Sequence, residues 1–170
     1  GYDSGLSSDQ QLFGQHDVQW IEEGRTGAGD LLLLNNGVGR TPSVSSVDVI
    51  HPSSSNEDYP LQASGTWGPN APSWSWNLGE QMYAQSISGA ERLPNGNTLV
   101  TYGTQGTLYE VDLTGGIVWK YINPVTNQGT LTQGDEIPEG NNAGTTANAV
   151  FKARRYSEDF SAFTGKDMTS

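Results

Sequence analysis

The chain has 170 residues, the length of a single domain, with a formal charge of −11 and no cysteine. An isoelectric point near 4.3 argues against binding to phosphate backbones or anionic lipid headgroups, because like charges repel. Without cysteine there is no disulfide, no thiolate nucleophile and no thiolate metal site.

Apolar residues make up 34% and mean hydropathy is −0.54, low for a chain that buries one compact core. The 22 glycines, eight prolines, five tryptophans and seven tyrosines instead suit short aromatic-bearing strands joined by tight turns. No stretch sustains a helical period, so the expected fold class is all-β. The longest apolar run, residues 31–34, is far short of the roughly 20 residues of a membrane span. Gly1 stands where an initiating methionine would, and no leader motif follows. The chain therefore reads as a mature or cleaved piece of something longer.

In chain order, residues 1–13 are polar and read as a loop. Residues 16–21 alternate, which puts His16, Val18 and Trp20 on one face and Asp17, Gln19 and Ile21 on the other. A long turn over 22–29 leads into 30–35, apolar on both faces and so expected to lie centrally in a sheet. Asn36-Gly37 marks a turn. Residues 44–50 read as a third strand with Val47 and Val49 on one face. Residues 51–73, rich in Ser, Pro and Gly, form a loop long enough to serve function or a partner. Trp74, Ser75 and Trp76 read as a short outer strand. Four further strands then follow at tight spacing, over 87–93, 97–102, 107–113 and 117–122.

The two four-strand units overlay. Aligning residues 29–32 on 96–99 places His16 on Ser88, Val18 on Ala90 and Ile21 on Leu93. The outer tryptophans Trp76 and Trp119 then repeat within the roughly 40–45 residues of a β-propeller blade. The expected organisation is one propeller domain: a blade over 14–83, a second over 84–126, the start of a next or closing blade over 147–158, and an irregular tail over 159–170. Two blades and a piece do not close a ring, so the remainder comes from further blades or from another chain.

The runs QHDVQW and GDLLLLNNGVGR, followed by the short Trp strand and YAQSISGAERLPNGNTLV, resemble the carboxy-terminal half of the arylsulfotransferase-type β-propeller family. The resemblance covers most of the chain from Phe13 onward. It implies a fragment of a six-bladed propeller, secreted to the extracellular space or periplasm. It also implies transfer of a sulfuryl group from a phenolic sulfate ester to a phenol, with no nucleotide donor, cofactor or metal. The family's nucleophilic histidine maps onto His16, and the arginine after its Asn-Gly turn maps onto Arg40. Where members often carry Phe-Asp-Asn-Gly, this chain has Leu34-Asn35-Asn36-Gly37.

Each candidate residue has two readings. A neutral imidazole at His16 can attack sulfur and divide one difficult transfer into two steps, or it can hydrogen-bond a neighbouring blade. Asp17 is offset from His16 by strand alternation. Arg40 either binds a substrate anion or stabilises its own turn. Ser88, at the histidine's position in the second unit, either contacts substrate or replaces the histidine in a non-catalytic blade. Trp67 in the long loop is the better aromatic platform for a phenol, because Trp76 sits at a repeat position. Asp135, Glu136 and Glu139 lack calcium-loop spacing, and His51 lies in a loop. A non-catalytic extracellular propeller, built into a larger assembly as a structural or interaction module, is the competing expectation.

Overall fold

The computed structural model describes residues 6–52, 59, 61–137 and 147–167. Eight strands form two four-stranded antiparallel sheets. The first contains β1 (His16–Trp20), β2 (Leu31–Asn35), β3 (Ser46–Ile50) and β4 (Trp74–Trp76), in that spatial order. The second contains β5 (Gly89–Arg92), β6 (Thr98–Tyr102), β7 (Thr107–Val111) and β8 (Ile117–Ile122), again in chain order. A two-stranded ribbon of β9 (Val125–Thr126) and β10 (Gly129–Thr130) follows. Among the described residues there is no α-helix, only short 3₁₀ turns, and no helix long and apolar enough to cross a membrane.

The two sheets pack face to face, and the apolar pattern explains how. Leu32 and Leu34 on β2, Val47 and Val49 on β3 and Trp76 on β4 form one wall of the core. Ala90, Val100, Tyr102, Tyr109 and Val111 of the second sheet form the other. Each fully buried leucine or valine is worth roughly 1.5–3 kcal/mol of removal from water. Trp76 meets Tyr109 with ring centroids 5.9 Å apart. The indole N–H groups of Trp74 and Trp76 donate to Leu113 O (3.2 Å) and Gly115 O (3.1 Å), tying the outer strand of one sheet to a turn of the other. Leu33 faces the opposite side and is buried too, which accounts for a leucine run without alternation.

The registers refine the repeat. Leu32 pairs with Val49, which pairs with Trp74. In the second sheet Leu99 pairs with Glu110, which pairs with Trp119. Trp119 therefore corresponds to Trp74, and Tyr121 to Trp76. The overlay from sequence matched Trp119 to Trp76 instead. The two tryptophans of the first unit are two residues apart on one strand and share a face, so only the ladder tells them apart.

Residues 150–155 dock on the face of the second sheet that points away from the first. Val150 N donates to Gly103 O (2.9 Å) and Ser88 N to Phe151 O (3.0 Å). Ala153 N donates to Thr101 Oγ1 (3.0 Å) and Arg155 N to Glu91 Oε2 (3.0 Å), so side chains of the sheet take the place of ladder carbonyls. The guanidinium of Arg155 lies 5.3 Å from the ring of Trp119. Arg92 on β5 lies 5.1 Å from the ring of Trp74. The docked segment thus stands to the second sheet as β5 stands to the first.

Candidate functional site

His16 opens β1, and its surroundings begin with a fault in that strand. His16 pairs with Leu34 and Gln19 with Leu32, so Asp17 and Val18 together oppose the single Leu33, which is a β-bulge. Asp17 takes a positive φ of 55° within it. The expected alternation is broken there: His16 and Gln19 both register against the core-facing leucines of β2, while Val18 and Trp20 are exposed.

The bulge turns the half-buried imidazole toward Asn36. His16 Nδ1 lies 2.6 Å from Asn36 Oδ1 and 3.2 Å from Gly14 O. Asn36 is fully buried, and its Nδ2 donates to two carbonyls, Ala84 O at 2.7 Å and Ile87 O at 3.1 Å. With two carbonyl oxygens facing Nδ2, a flipped amide would set oxygen against oxygen, so Oδ1 is the acceptor facing the ring. Nδ1 must carry the proton, and the lone pair falls on Nε2. Ser45 holds the same loop by donating its hydroxyl to Asn36 O (2.8 Å) and accepting from Ala84 N (2.8 Å). Gly37 permits the turn: at φ +76° an added Cβ would lie 2.0 Å from Val44 O.

Asp17 serves a different set of partners. Its Oδ1 accepts from Lys152 Nζ (3.0 Å) and Arg154 Nη2 (2.9 Å), binding β1 to the docked segment across β5. Gly89 makes room for it, since a Cβ there would come within 2.3 Å of Asp17 Oδ2.

The other candidates scatter. Arg40 donates to Val44 O and Gln11 O, each at 3.3 Å, and lies 5.2 Å from the ring of Phe13. It clamps its own turn and the incoming chain. Ser88 is buried at 1% exposure, accepts from Gly103 N (2.9 Å) and donates to Ser86 O (3.4 Å). Trp67 lines a surface cavity of about 680 Å³ with Gln10, Gln11 and Asn70. Its walls contain none of His16, Arg40 and Ser88. Arg40 lines a neighbouring cavity that shares those three wall residues. His51 pairs with Asp30 at 2.7 Å.

Asp135 accepts from the hydroxyl (2.7 Å) and backbone N–H (2.8 Å) of Thr132, and these bonds hold its carboxyl below the ordinary value. Glu139 lies outside the described residues. Among the described residues no group of three or more His, Asp or Glu is placed to hold a metal ion.

Two features of the candidate site escape a reading of the sequence. Asn36 is the group that orients His16, although Asn-Gly signals only a turn. Asn35 accepts from Phe13 N (2.9 Å) and donates to Gln11 O (2.9 Å) and Asp48 Oδ2 (3.0 Å), so the paired asparagines anchor opposite sides of one turn. An asparagine beyond the one needed for the turn is the only sequence signal of this. Comparison with protein-family models, curated proteins and solved structures finds no match to the chain.

Proposed function

We propose that the chain is part of a six-bladed β-propeller in which His16 is the nucleophile of sulfuryl transfer from phenolic sulfate esters to phenols. The observation that supports this most is the Asn36 contact, which leaves Nε2 with a lone pair. In the first half-reaction Nε2 attacks sulfur, the bond from sulfur to the aryl oxygen breaks, and the phenolate departs with the electron pair. The sulfated ring now carries positive charge, which the Nδ1–H shares with the Asn36 carbonyl oxygen. In the second half-reaction the hydroxyl oxygen of an acceptor phenol attacks sulfur and loses its proton to solvent, the bond from sulfur to Nε2 breaks with its electron pair going to Nε2, and the neutral imidazole returns. Charge on the sulfuryl oxygens needs cationic or hydrogen-bonding partners. Arg40 is engaged with Val44 O and Gln11 O, so on this reading other blades supply those partners.

The test is incubation of the full-length protein with 4-nitrophenyl sulfate, followed by rapid quench and peptide mass mapping. A sulfuryl adduct on His16, and its loss together with turnover in His16→Ala, is the expected result. Undiminished turnover in that variant ends the proposal.

A second reading is favoured by a separate observation: Arg40 is engaged with Val44 O and Gln11 O, and Trp67 lines a cavity whose walls do not include His16. On this reading the propeller is a non-catalytic extracellular module built into a larger assembly. Secretion or periplasmic location belongs to both readings.

A further inference from the structure

The arginines of this acidic chain are not spread over its surface. Four of them, Arg25, Arg92, Arg154 and Arg155, line one cavity of about 510 Å³. Three pieces of chain converge there: the end of β1 with its turn, the end of β5, and the docked segment. Arg25 pairs with Glu22 (2.6 Å) and Glu91 (3.3 Å), Arg154 and Lys152 with Asp17, and Arg155 with Glu110. This cluster gathers five of the chain's 8 Lys and Arg but only four of its 19 Asp and Glu. The cluster thus holds one more cation than carboxylate, whereas the rest of the chain has three Lys and Arg against 15 Asp and Glu, and a recessed site focuses such a local field.

Arg92 is the least satisfied member. It is 4% exposed and donates to Gly96 O (3.1 Å) and Thr98 Oγ1 (2.7 Å). Among the described residues it has no carboxylate partner, and its buried Nε has no hydrogen-bond acceptor. Burial, by removing the cation from water, lowers its pKa from the ordinary arginine value. Around the mouth, Trp20 and Tyr156 keep more than half of their surface in solvent, and Tyr156 packs on Phe160 at 4.5 Å.

We propose that this cavity binds an organic anion carrying an aromatic ring. Each guanidinium carries five N–H donors, and those that the ion pairs leave over match a flat oxyanion and take the charged group, while Trp20 and Tyr156 take the ring. The volume suits a small molecule, for which pockets typically span about 300–1,000 Å³. The site lies at the opposite end of β1 from His16, about 13 Å away at roughly 3.3 Å per residue. It therefore stands or falls separately from sulfuryl transfer.

Calorimetric titration of the full chain with 4-hydroxybenzoate tests it, with 4-hydroxybenzyl alcohol as the uncharged counterpart and acetate as the anion without a ring. The expected result is saturable binding of one 4-hydroxybenzoate per chain, with both controls weaker by about tenfold or more. Arg155→Gln and Trp20→Ala each weaken binding by about fivefold or more, whereas Lys166→Gln, the same charge change away from the cavity, leaves it intact. Trp20 is exposed, so its variant stays folded even where loss of Arg155 loosens the docked segment. Absence of saturable binding overturns the proposal. So does equal binding of the alcohol, or full binding by a folded Trp20→Ala chain.

Discussion

At the scale of single residues, His16 gains its character from Asn36 and not from the carboxylate beside it in sequence. Asp17 is drawn away by Lys152 and Arg154, and an amide replaces it as the imidazole's partner. An amide oxygen fixes the tautomer without adding a negative charge; on the sulfuryl-transfer reading this matters, because a carboxylate there would repel a sulfate ester. Nitrogen-15 NMR of His16 checks this: the wild-type ring is expected to carry its proton on Nδ1, and Asn36→Ala to shift it toward a mixture dominated by Nε2–H. The same substitution removes the donor to Ile87 O and the closer of two donors to Ala84 O, which costs about 1–3 kcal/mol of stability in chemical denaturation. An unchanged tautomer in a folded Asn36→Ala chain would show that Gly14 O alone suffices.

At the scale of elements, side chains help to hold the docked segment, and Glu110, paired with Arg155, is one of them. Burial pushes the Glu110 carboxyl up, but hydrogen bonds from Asn97, Asn95 and Arg155, with the charge of Arg155, leave it below the ordinary value of 4.5. A carboxyl whose folded value is depressed contributes stability that is complete above its unfolded value and disappears as pH falls through the folded one. Glu110→Gln is therefore expected to be less stable than wild type at neutral pH. The gap should close as pH drops below about 4.5. Denaturant titrations of both chains across that range measure it, and a gap independent of pH would remove Glu110 from this role. The same region shows what a sequence can reveal. Alternation and turn residues located the strands of both sheets, because burial on a pleated ladder imposes a period of two. They could not reveal the bulge at Asp17, whose positive φ is stabilised by Lys152 and Arg154, more than a hundred positions away. Nor could they separate Trp74 from Trp76, which differ only by rung. Of the candidate residues, His16 was visible as a lone imidazole on a strand, but its partner Asn36 was hidden inside a turn signal.

At the scale of the whole molecule, the two sheets have unequal fates. The first sheet's inner wall of Leu32, Val49, Trp74 and Trp76 is covered by the second sheet. The corresponding row of the second sheet, Leu99, Glu110, Trp119 and Tyr121, is covered only on its inner half by residues 150–155. Its outer half leaves Trp119 and Tyr121 about 40% in solvent and stacked against each other. A repeat whose neighbour is present buries this row, so the expected cover is another antiparallel sheet that takes residues 150–155 as its innermost strand. In the first interface Trp74 and Trp76 donate to carbonyls of the Leu113–Gly115 turn, so the cover should offer Trp119 the carbonyl of an equivalent turn. Hydroxyl-radical footprinting tests the point directly. In the isolated chain Trp119 and Tyr121 should oxidise well ahead of Trp76, which is 5% exposed. In the full-length protein they should fall to the level of Trp76. If they oxidise equally fast in both, no sheet covers this face. The propeller would then fail as an architecture, and the catalytic and structural readings that depend on it would fail together.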